Sequence, residues 1–165
     1  MEKQFVCRPA SETDLSRIWQ KNIENNPDEP NWVRWRDEFI GYNRDGAART
    51  FVVCADDEPV GEVTLMYSTA CKPTAGRPML ANGTNVANIN ALRIEAAYEG
   101  QGHISKLMHT LEECAKARGI DTLTIGVEAK EARNLAIYLH WGYTQFVMSE
   151  IDGGELILYY AKKIG

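Results

Sequence analysis

The pattern that organises the chain lies in residues 88–118, NINALRIEAAYEGQGHISKLMHTLEECAKAR. Residues 88–95 read as a strand, residues 100–102 as a tight glycine turn, and the following residues as a helix, because apolar side chains recur there at helical spacing. Gly119 is expected to end the helix, and a second strand is predicted over residues 122–127. This succession predicts a strand–helix–strand crossover with two parallel strands. The side chains expected to share one buried helix face are Ile104, Leu107, Met108, Leu111 and Cys114.

The glycine turn is a candidate phosphate site. Backbone N–H groups at the start of a helix have no partner within the helix, and they converge with the positive end of the helix dipole. Gly100 and Gly102 let the backbone approach an anion closely, and the Ser105 hydroxyl could add a hydrogen bond. The alternative is that these glycines only make a short connection between a strand and a helix.

Length, composition and charge narrow the classes of protein to consider. The chain has 165 residues, of which 44% are hydrophobic and 25% charged, and this predicts one globular domain over residues 1–165. The net charge of −5 argues against a nucleic-acid partner and favours a cationic substrate. The apolar runs are short and interrupted, so we expect no membrane partner, no signal peptide and a cytoplasmic protein.

The cysteines and histidines do not predict a metal site. Four cysteines are scattered without a paired spacing, so reduced and mostly buried thiols are expected. The three histidines make no metal-ligand spacing with them, so we expect no metal cofactor. These residues are Cys7, Cys54, Cys71, Cys114, His103, His109 and His140.

The N-terminal half predicts a strand, two helices and a hairpin. Residues 5–7 begin an edge strand that Pro9 stops, and Ser11 with Asp14 forms a capping box at the start of a helix. A second helix opens at residues 28–30 and contains Trp32, which either packs in the core or lines a substrate cleft. Residues 50–55 and 59–67 then predict an antiparallel hairpin around residues 56–58.

Three further segments lie outside the crossover. Residues 68–85 are too long and too rich in Pro, Gly and Asn for a simple turn, so they form either a substrate flap or a disordered insertion. Residues 131–141 predict a short helix ended by Gly142. Residues 144–151 and 155–162 predict a final hairpin around the turn Asp152-Gly153-Gly154.

Two motifs resemble those of the GNAT family of acyl-CoA-dependent N-acetyltransferases, and the order of the elements resembles that family over essentially the full chain. The strand and its Arg/Gln-x-x-Gly-x-Gly/Ala turn are matched by Leu92-Arg93-Ile94, Tyr98 and residues 99–105, EGQGHIS. Glu99 stands where Arg or Gln is usual, and Ile104 where Gly or Ala is usual. The motif Asn-x-x-Ala-x-x-x-Tyr-x-x-x-Gly-Phe is matched by Tyr138, Gly142 and Tyr143, with Glu131 and Asn134 at the Asn and Ala positions.

The resemblance implies a fold of the α/β (α+β) class, with a mixed, mostly antiparallel central sheet flanked by helices and one parallel strand–helix–strand unit. It also implies acetyl-CoA as cosubstrate, held in a gap between the two parallel strands, and direct attack by an amine. Tyr138 would protonate the leaving thiolate, and Asn134, one helical turn earlier, could reach the coenzyme. The residues expected to bind the coenzyme through their backbone are Leu92, Arg93, Ile94, Glu99, Gly100, Gln101, Gly102, His103, Ile104 and Ser105.

The general base and the acceptor are open at this stage. Asn88 aligns with the Glu that some family members carry on the fourth strand, so Glu128 on the next strand is one candidate base and a water oriented by Asn88 or Asn90 is another. Asp28 and Glu29 at the mouth of the cleft are further carboxylates within reach. Together with Trp32 they are expected to bind the acceptor, a small-molecule cationic amine.

Two other classes of protein compete with an acetyltransferase. A non-catalytic GNAT-like module would act as an acyl-CoA sensor or partner subunit, and Glu99, Ile104 and the missing strand Glu favour it. A nucleotide-binding Rossmann domain is disfavoured, because the later glycine of its fingerprint is absent and the preceding strands read as antiparallel. The oligomeric state is open, with a homodimer among the possible assemblies.

Overall fold

The computed structural model describes residues 2–165 and contains a mixed seven-stranded sheet with four α-helices. The strands lie in the order β1-β2-β3-β4-β5-β7-β6. The strands are β1 (Phe5–Pro9), β2 (Ala48–Ala55), β3 (Glu58–Met66), β4 (Val86–Ile94), β5 (Thr122–Glu128), β6 (Gln145–Asp152) and β7 (Glu155–Lys163). The α-helices are α1 (Glu12–Asn25), α2 (Asn31–Asp45), α3 (His103–Ala117) and α4 (Ala132–His140), and 3-10 turns lie at Lys72–Thr74 and Ala96–Tyr98.

The predicted crossover is confirmed. Strands β4 and β5 pair in parallel, with a register that runs from Val86↔Thr122 to Ile89↔Ile125, and α3 connects them. The pairs β1–β2, β5–β7 and β6–β7 are antiparallel. The fold class is therefore the predicted one, and the mostly antiparallel sheet excludes a doubly wound nucleotide-binding fold.

One compact unit comprises the residues up to Leu65 together with Ala91–Glu113. Its first helix begins with the predicted capping box, in which the Ser11 hydroxyl accepts from the Asp14 N–H and the Asp14 carboxylate accepts from the Ser11 N–H. Arg8 also donates from Nη2 to Asp14 Oδ1 at 3.2 Å. The core of this unit includes Trp19, 1% exposed, and Leu107, 0% exposed.

The second compact unit comprises Met66–Asn90 and Cys114–Gly165. Its hairpin turn has φ values of 58° at Gly153 and 83° at Gly154, as a two-residue turn between twisted strands requires. Residues 68–85 are folded, with Cys71 and Leu80 fully buried, so the alternative of a disordered insertion is wrong. The prediction of a single domain over residues 1–165 stays a prediction.

Two expectations about the cysteines need correction. Cys114 is exposed, and Ala115 instead continues the buried face of α3, because the helix turns by 100° per residue and the apolar stripe drifts to the next position. Cys7 is half-buried, whereas Cys54 and Cys71 are buried as expected. None of the four cysteines forms a disulfide within residues 2–165, and burial raises the pKa of Cys71 to about 11.

Candidate functional site

The backbone of β4 departs from regular strand geometry just before the residues expected to bind the coenzyme. Ala91 has φ of 56°, in the left-handed region, as in a β-bulge. The chain then passes very close to β3, because a Cβ built at Gly61 would lie 3.2 Å from the Arg93 carbonyl oxygen. Glu95 N–H donates to the Val60 carbonyl at 2.9 Å. Leu92–Ile94 therefore lie between an irregular residue and a hydrogen-bonded contact with β3.

The glycine turn between β4 and α3 has the geometry of an anion site. Gly100 and Gly102 have φ values of 74° and 84°, and a Cβ built at either position meets no atom within 4 Å among the residues the structure describes. Lys106 N–H donates to the Gly102 carbonyl at 3.2 Å and so begins the helical ladder. The N–H groups before it have no acceptor within the helix. Glu99 is exposed, so open space and free donors fit a pyrophosphate.

The His103 side chain belongs to the support of this turn. Its imidazole is 6% exposed and stacks on the Phe5 ring with a centroid distance of 4.1 Å. Its Nε2 lies 3.1 Å from Gln101 Oε1, and Gln101 Nε2 donates to the Ala97 carbonyl at 3.3 Å. His103 Nδ1 has no hydrogen-bond partner in residues 2–165. Because the ring is buried, the predicted coenzyme contact of His103 is expected to use its backbone N–H.

Trp32, one of the expected acceptor residues, lies beside a cation of the chain itself. The Arg93 guanidinium lies 5.0 Å from the Trp19 ring and 4.9 Å from the Trp32 ring. Its Nε lies 3.3 Å from Oε2 of Glu62, a carboxylate that is only 1% exposed and that also accepts from Asn22 Nδ2 at 3.1 Å. Trp32 thus packs in a cluster, as one of the two predicted alternatives has it, and no sequence pattern indicated its contact with Arg93.

Asp28 and Glu29 lie in the connection between α1 and α2, and both are exposed. Glu29 Oε1 accepts from the Asn31 N–H at 3.0 Å, so this carboxylate supports the start of α2. Asp28 leaves its charge at the surface, where a cation can approach it.

In the second unit, Asn88 is buried and belongs to a hydrogen-bond chain that connects β4, β5 and residues 68–85. It is 2% exposed, and its Nδ2 donates to Thr124 Oγ1 at 3.0 Å. The Thr124 hydroxyl in turn donates to the Leu80 carbonyl at 2.8 Å, which ties residues 68–85 to β5. Glu128, at the end of β5, is half-exposed, with Lys130 Nζ 3.6 Å from its Oε2. The chain therefore presents a solvated carboxylate at Glu128 and an amide engaged in hydrogen bonds at Asn88.

Tyr138 lies on α4 with its phenol available to a ligand. Burial, and then the negative charge of Glu131, raises the pKa of Tyr138 above its ordinary value, so the phenol keeps its proton at neutral pH. Its hydroxyl makes no hydrogen bond with any residue from 2 to 165, and its ring lies 6.0 Å from that of Trp141. Asn134, one turn earlier on α4, is exposed.

Sequence reasoning missed a polar cluster beside β5. A Cβ built at Gly126 would lie 2.7 Å from Cε1 of Tyr159, so the Tyr159 ring packs directly over the strand. The Tyr159 hydroxyl donates to Glu150 Oε1 at 2.7 Å, and Arg77 Nη2 lies 2.6 Å from Glu150 Oε2. Burial, followed by the bond to Glu150, strongly raises the pKa of Tyr159. A glycine inside a strand was the one available signal of this close approach.

Two remaining features of the described residues bear on metal binding and on membrane spanning. In the part of the chain that the structure describes, no three His, Cys, Asp or Glu side chains group in a way that could hold a metal ion. None of the described helices has both the length and the apolar character needed to cross a membrane.

Comparison with known proteins supplies a family and a set of similar folds. The profile of the acetyltransferase (GNAT) family matches residues 12–143, whereas no curated protein matches the chain. A protein assigned to the GNAT family from Desulfovibrio desulfuricans superposes with a TM-score of 0.75 at 12% identity, covering 98% of this chain and 100% of its own. A ribosomal-protein-alanine N-acetyltransferase from Brucella melitensis gives 0.69 at 17% identity, covering 96% and 99%. A chimera of the spermidine N-acetyltransferase from Vibrio cholerae gives 0.69 at 17% identity, covering 97% and 95%.

Proposed function

Because the chain belongs to the acetyltransferase (GNAT) family, we propose that it acetylates a primary amine of a small, cationic acceptor. As an N-acetyltransferase it takes the acetyl group from acetyl-CoA, which supplies an activated acyl group as a thioester. The proposal concerns the acceptor, the residues that bind acetyl-CoA and the residues that catalyse the transfer. The observation that carries acetyl-CoA binding is the open glycine turn at Gly100 and Gly102, with N–H groups at the start of α3 that have no acceptor within the helix.

We assign the coenzyme contacts to two stretches of backbone. The N–H groups of Gly100–Ser105 would hold the pyrophosphate, since the turn offers donors and has no side chain in the way. The backbone of Leu92–Ile94 would align the pantetheine and the acetyl carbonyl. The exposed Asn134 would add a contact from α4. Holding the reacting groups in place in this way contributes several orders of magnitude to the rate.

Tyr138 would act as the general acid. The amine nitrogen forms its bond to the acetyl carbon as the carbon–sulfur bond breaks, and the leaving sulfur takes up the phenol proton. A raised pKa keeps Tyr138 protonated over the neutral range, and a free hydroxyl is available to donate. These two properties support the assignment, because a general acid must carry its proton before the reaction.

Glu128 is the proposed base that removes the proton from the attacking amine. It is a half-exposed carboxylate at the end of β5, and Lys130 Nζ lies 3.6 Å from its Oε2. Asn88 has no proton-accepting carboxylate, and its amide is engaged with Thr124, so its proposed role is to orient a water. Activity of Glu128→Gln near that of the unmodified protein at neutral pH, where the acceptor amine still carries its proton, would remove Glu128 from this role.

The cationic acceptor is favoured by the charge of the chain and by the α1–α2 connection. The net charge is −5, and Asp28 and Glu29 are exposed in that connection. Exposed carboxylates attract ammonium groups and raise their local concentration. One face of Trp32 already carries Arg93, so the carboxylates support this proposal more strongly than Trp32 does. A spermidine N-acetyltransferase has the same fold, and so does an enzyme that acetylates a ribosomal protein.

A panel of acceptors tests the proposal. Thiol release from acetyl-CoA is measured with polyamines, aminoglycosides, amino acids and peptides at low and high salt. We expect the highest kcat/KM with a polycation, a decrease at high salt, and a several-fold decrease in Asp28→Asn and Glu29→Gln. Preference for a neutral or acidic amine would refute the cationic acceptor. No thiol release with any amine would instead favour the non-catalytic module.

Location and assembly stay predictions from the sequence. A cytoplasmic location is proposed from the reduced thiols and from the composition. Sedimentation of the purified protein would decide between a monomer and a homodimer.

A further inference from the structure

We infer that the Arg93 side chain is a positioning residue that fixes the backbone of Leu92–Ile94 for acetyl transfer. This inference rests on the proposed function, in which that backbone aligns the thioester. Arg93 lies on β4, before the glycine turn, and the role concerns its side chain, whereas the coenzyme contacts assigned above use backbone groups. Four observations, all within one compact unit, support it.

The first observation is an irregular residue in β4 two positions before Arg93. The left-handed φ of 56° at Ala91 breaks the regular geometry of the strand. The residues that follow still belong to β4, which lies beside β3 in the sheet. A side-chain contact beyond Ala91 would add to that pairing in fixing their backbone.

The second observation is that the Arg93 guanidinium has a rigid ionic partner. Its Nε and Nη2 lie 3.3 and 3.5 Å from the two oxygens of Glu62. Glu62 is 1% exposed, and Asn22 Nδ2 donates to it at 3.1 Å. A two-point contact with a buried carboxylate fixes the direction of the guanidinium as well as its distance.

The third observation is that two helices enclose the same guanidinium. The Trp19 ring of α1 lies 5.0 Å from it and the Trp32 ring of α2 lies 4.9 Å from it. Trp19 is 1% exposed, so one of the two indoles belongs to the packed core and cannot readily shift. The planar, delocalised guanidinium can stack and pair at once, which a lysine ammonium cannot do.

The fourth observation concerns the backbone of Arg93. The absence of a side chain at Gly61 lets β3 approach the Arg93 carbonyl, since a built Cβ would lie 3.2 Å from that oxygen and 2.8 Å from Val53 Cγ1. Arg93 is thus held at its backbone by β3 and at its side chain by α1, α2 and Glu62. Displacement of a reacting group by about 1 Å costs on the order of 100-fold in rate, so an anchor of this kind has kinetic consequences.

The test compares Arg93→Gln and Arg93→Lys with the matched control Arg49→Gln. Arg49 is an exposed arginine on β2, and no part of the proposed site uses it. Acetyl-CoA affinity is measured by calorimetry, and kcat and KM are measured with the best amine of the panel. We expect Arg93→Gln to lower kcat about 10- to 100-fold while KM for acetyl-CoA changes less than about threefold, because the glycine turn is unaltered. The kcat of Arg93→Lys should fall between that of Arg93→Gln and that of the unmodified protein. The kcat of Arg49→Gln should match that of the unmodified protein.

A double variant separates positioning from folding. Arg93→Gln leaves Glu62 as an uncompensated buried charge and could unfold the protein. Arg93→Gln with Glu62→Gln removes that charge, so we expect a folded protein whose kcat is still about 10- to 100-fold low. Recovery of full kcat in the double variant, or equal kcat in folded Arg93→Gln and Arg49→Gln, would overturn the inference. Absence of turnover in the unmodified protein would overturn the proposed function and this inference with it.

Discussion

Replacement of Tyr138 by Phe separates catalysis from stability. The Tyr138 hydroxyl makes no hydrogen bond with any residue from 2 to 165, so its removal breaks none, and the ring contact with Trp141 at 6.0 Å remains. We therefore expect the free energy of unfolding to change by less than about 0.5 kcal/mol, as for a surface substitution. Loss of a general acid raises the barrier to transfer by about 1.4–3.5 kcal/mol, which corresponds to a decrease of roughly ten- to several-hundred-fold in kcat.

The assay is single-turnover acetyl transfer followed by rapid quench, since product release can mask a slower chemical step. Acetyl-CoA affinity, measured by calorimetry, should stay within about twofold. Wild-type rates in Tyr138→Phe under these conditions would refute the role of general acid. A further check uses Glu131→Gln. The charge of Glu131 helps to raise the pKa of Tyr138, so its removal should move the alkaline limb of the rate profile to lower pH.

Three further outcomes are expected. Gly102→Asp should abolish acetyl-CoA binding in calorimetry by placing a carboxylate in the anion site, whereas Gly76→Asp, at a glycine with a similar φ of 73° and the same open surroundings, should leave binding unchanged. The bonds from Arg8 and Ser11 outweigh burial and lower the pKa of Asp14, so its stabilising contribution is present above about pH 4 and is lost as pH falls below that value. Asp14→Asn should accordingly lower the free energy of unfolding at pH 7 by about 1–2 kcal/mol in denaturant titrations and flatten its acid dependence. Gly126→Ala should cost about 1–3 kcal/mol, since the new Cβ would lie 2.7 Å from Tyr159, and the cost should disappear in a Tyr159→Ala background.

Local signals in the sequence predicted much of the fold. The capping box of Ser11 and Asp14, the turn at Gly153 and Gly154, and the glycine turn before α3 all formed as expected, because each depends on residues a few positions apart. Element bounds differed by a few residues, as at β4, which begins at Val86 and ends at Ile94.

Contacts between residues far apart in the sequence could not be predicted. Glu62 is 31 positions from Arg93, and neither residue type indicates that two tryptophans enclose the Arg93 guanidinium. The same holds for Arg77 and Glu150, which help to fold a connection whose composition also fits a disordered chain. Cys114 was misplaced because a one-residue drift of the apolar stripe is not visible in spacing alone.

The left-handed alanine in β4 affects both the stability of the folded protein and the expected rate of acetyl transfer. A non-glycine residue at φ of 56° stores on the order of 1–2 kcal/mol of strain, which glycine would relieve. Ala91→Gly should therefore leave the folded protein no less stable, with the relief opposed by the greater freedom of glycine in the unfolded chain. Its cost would be a looser strand at the point where the acyl donor is proposed to be held. Selection for heat resistance alone would therefore be indifferent to this exchange, whereas selection for turnover would tend to keep the alanine.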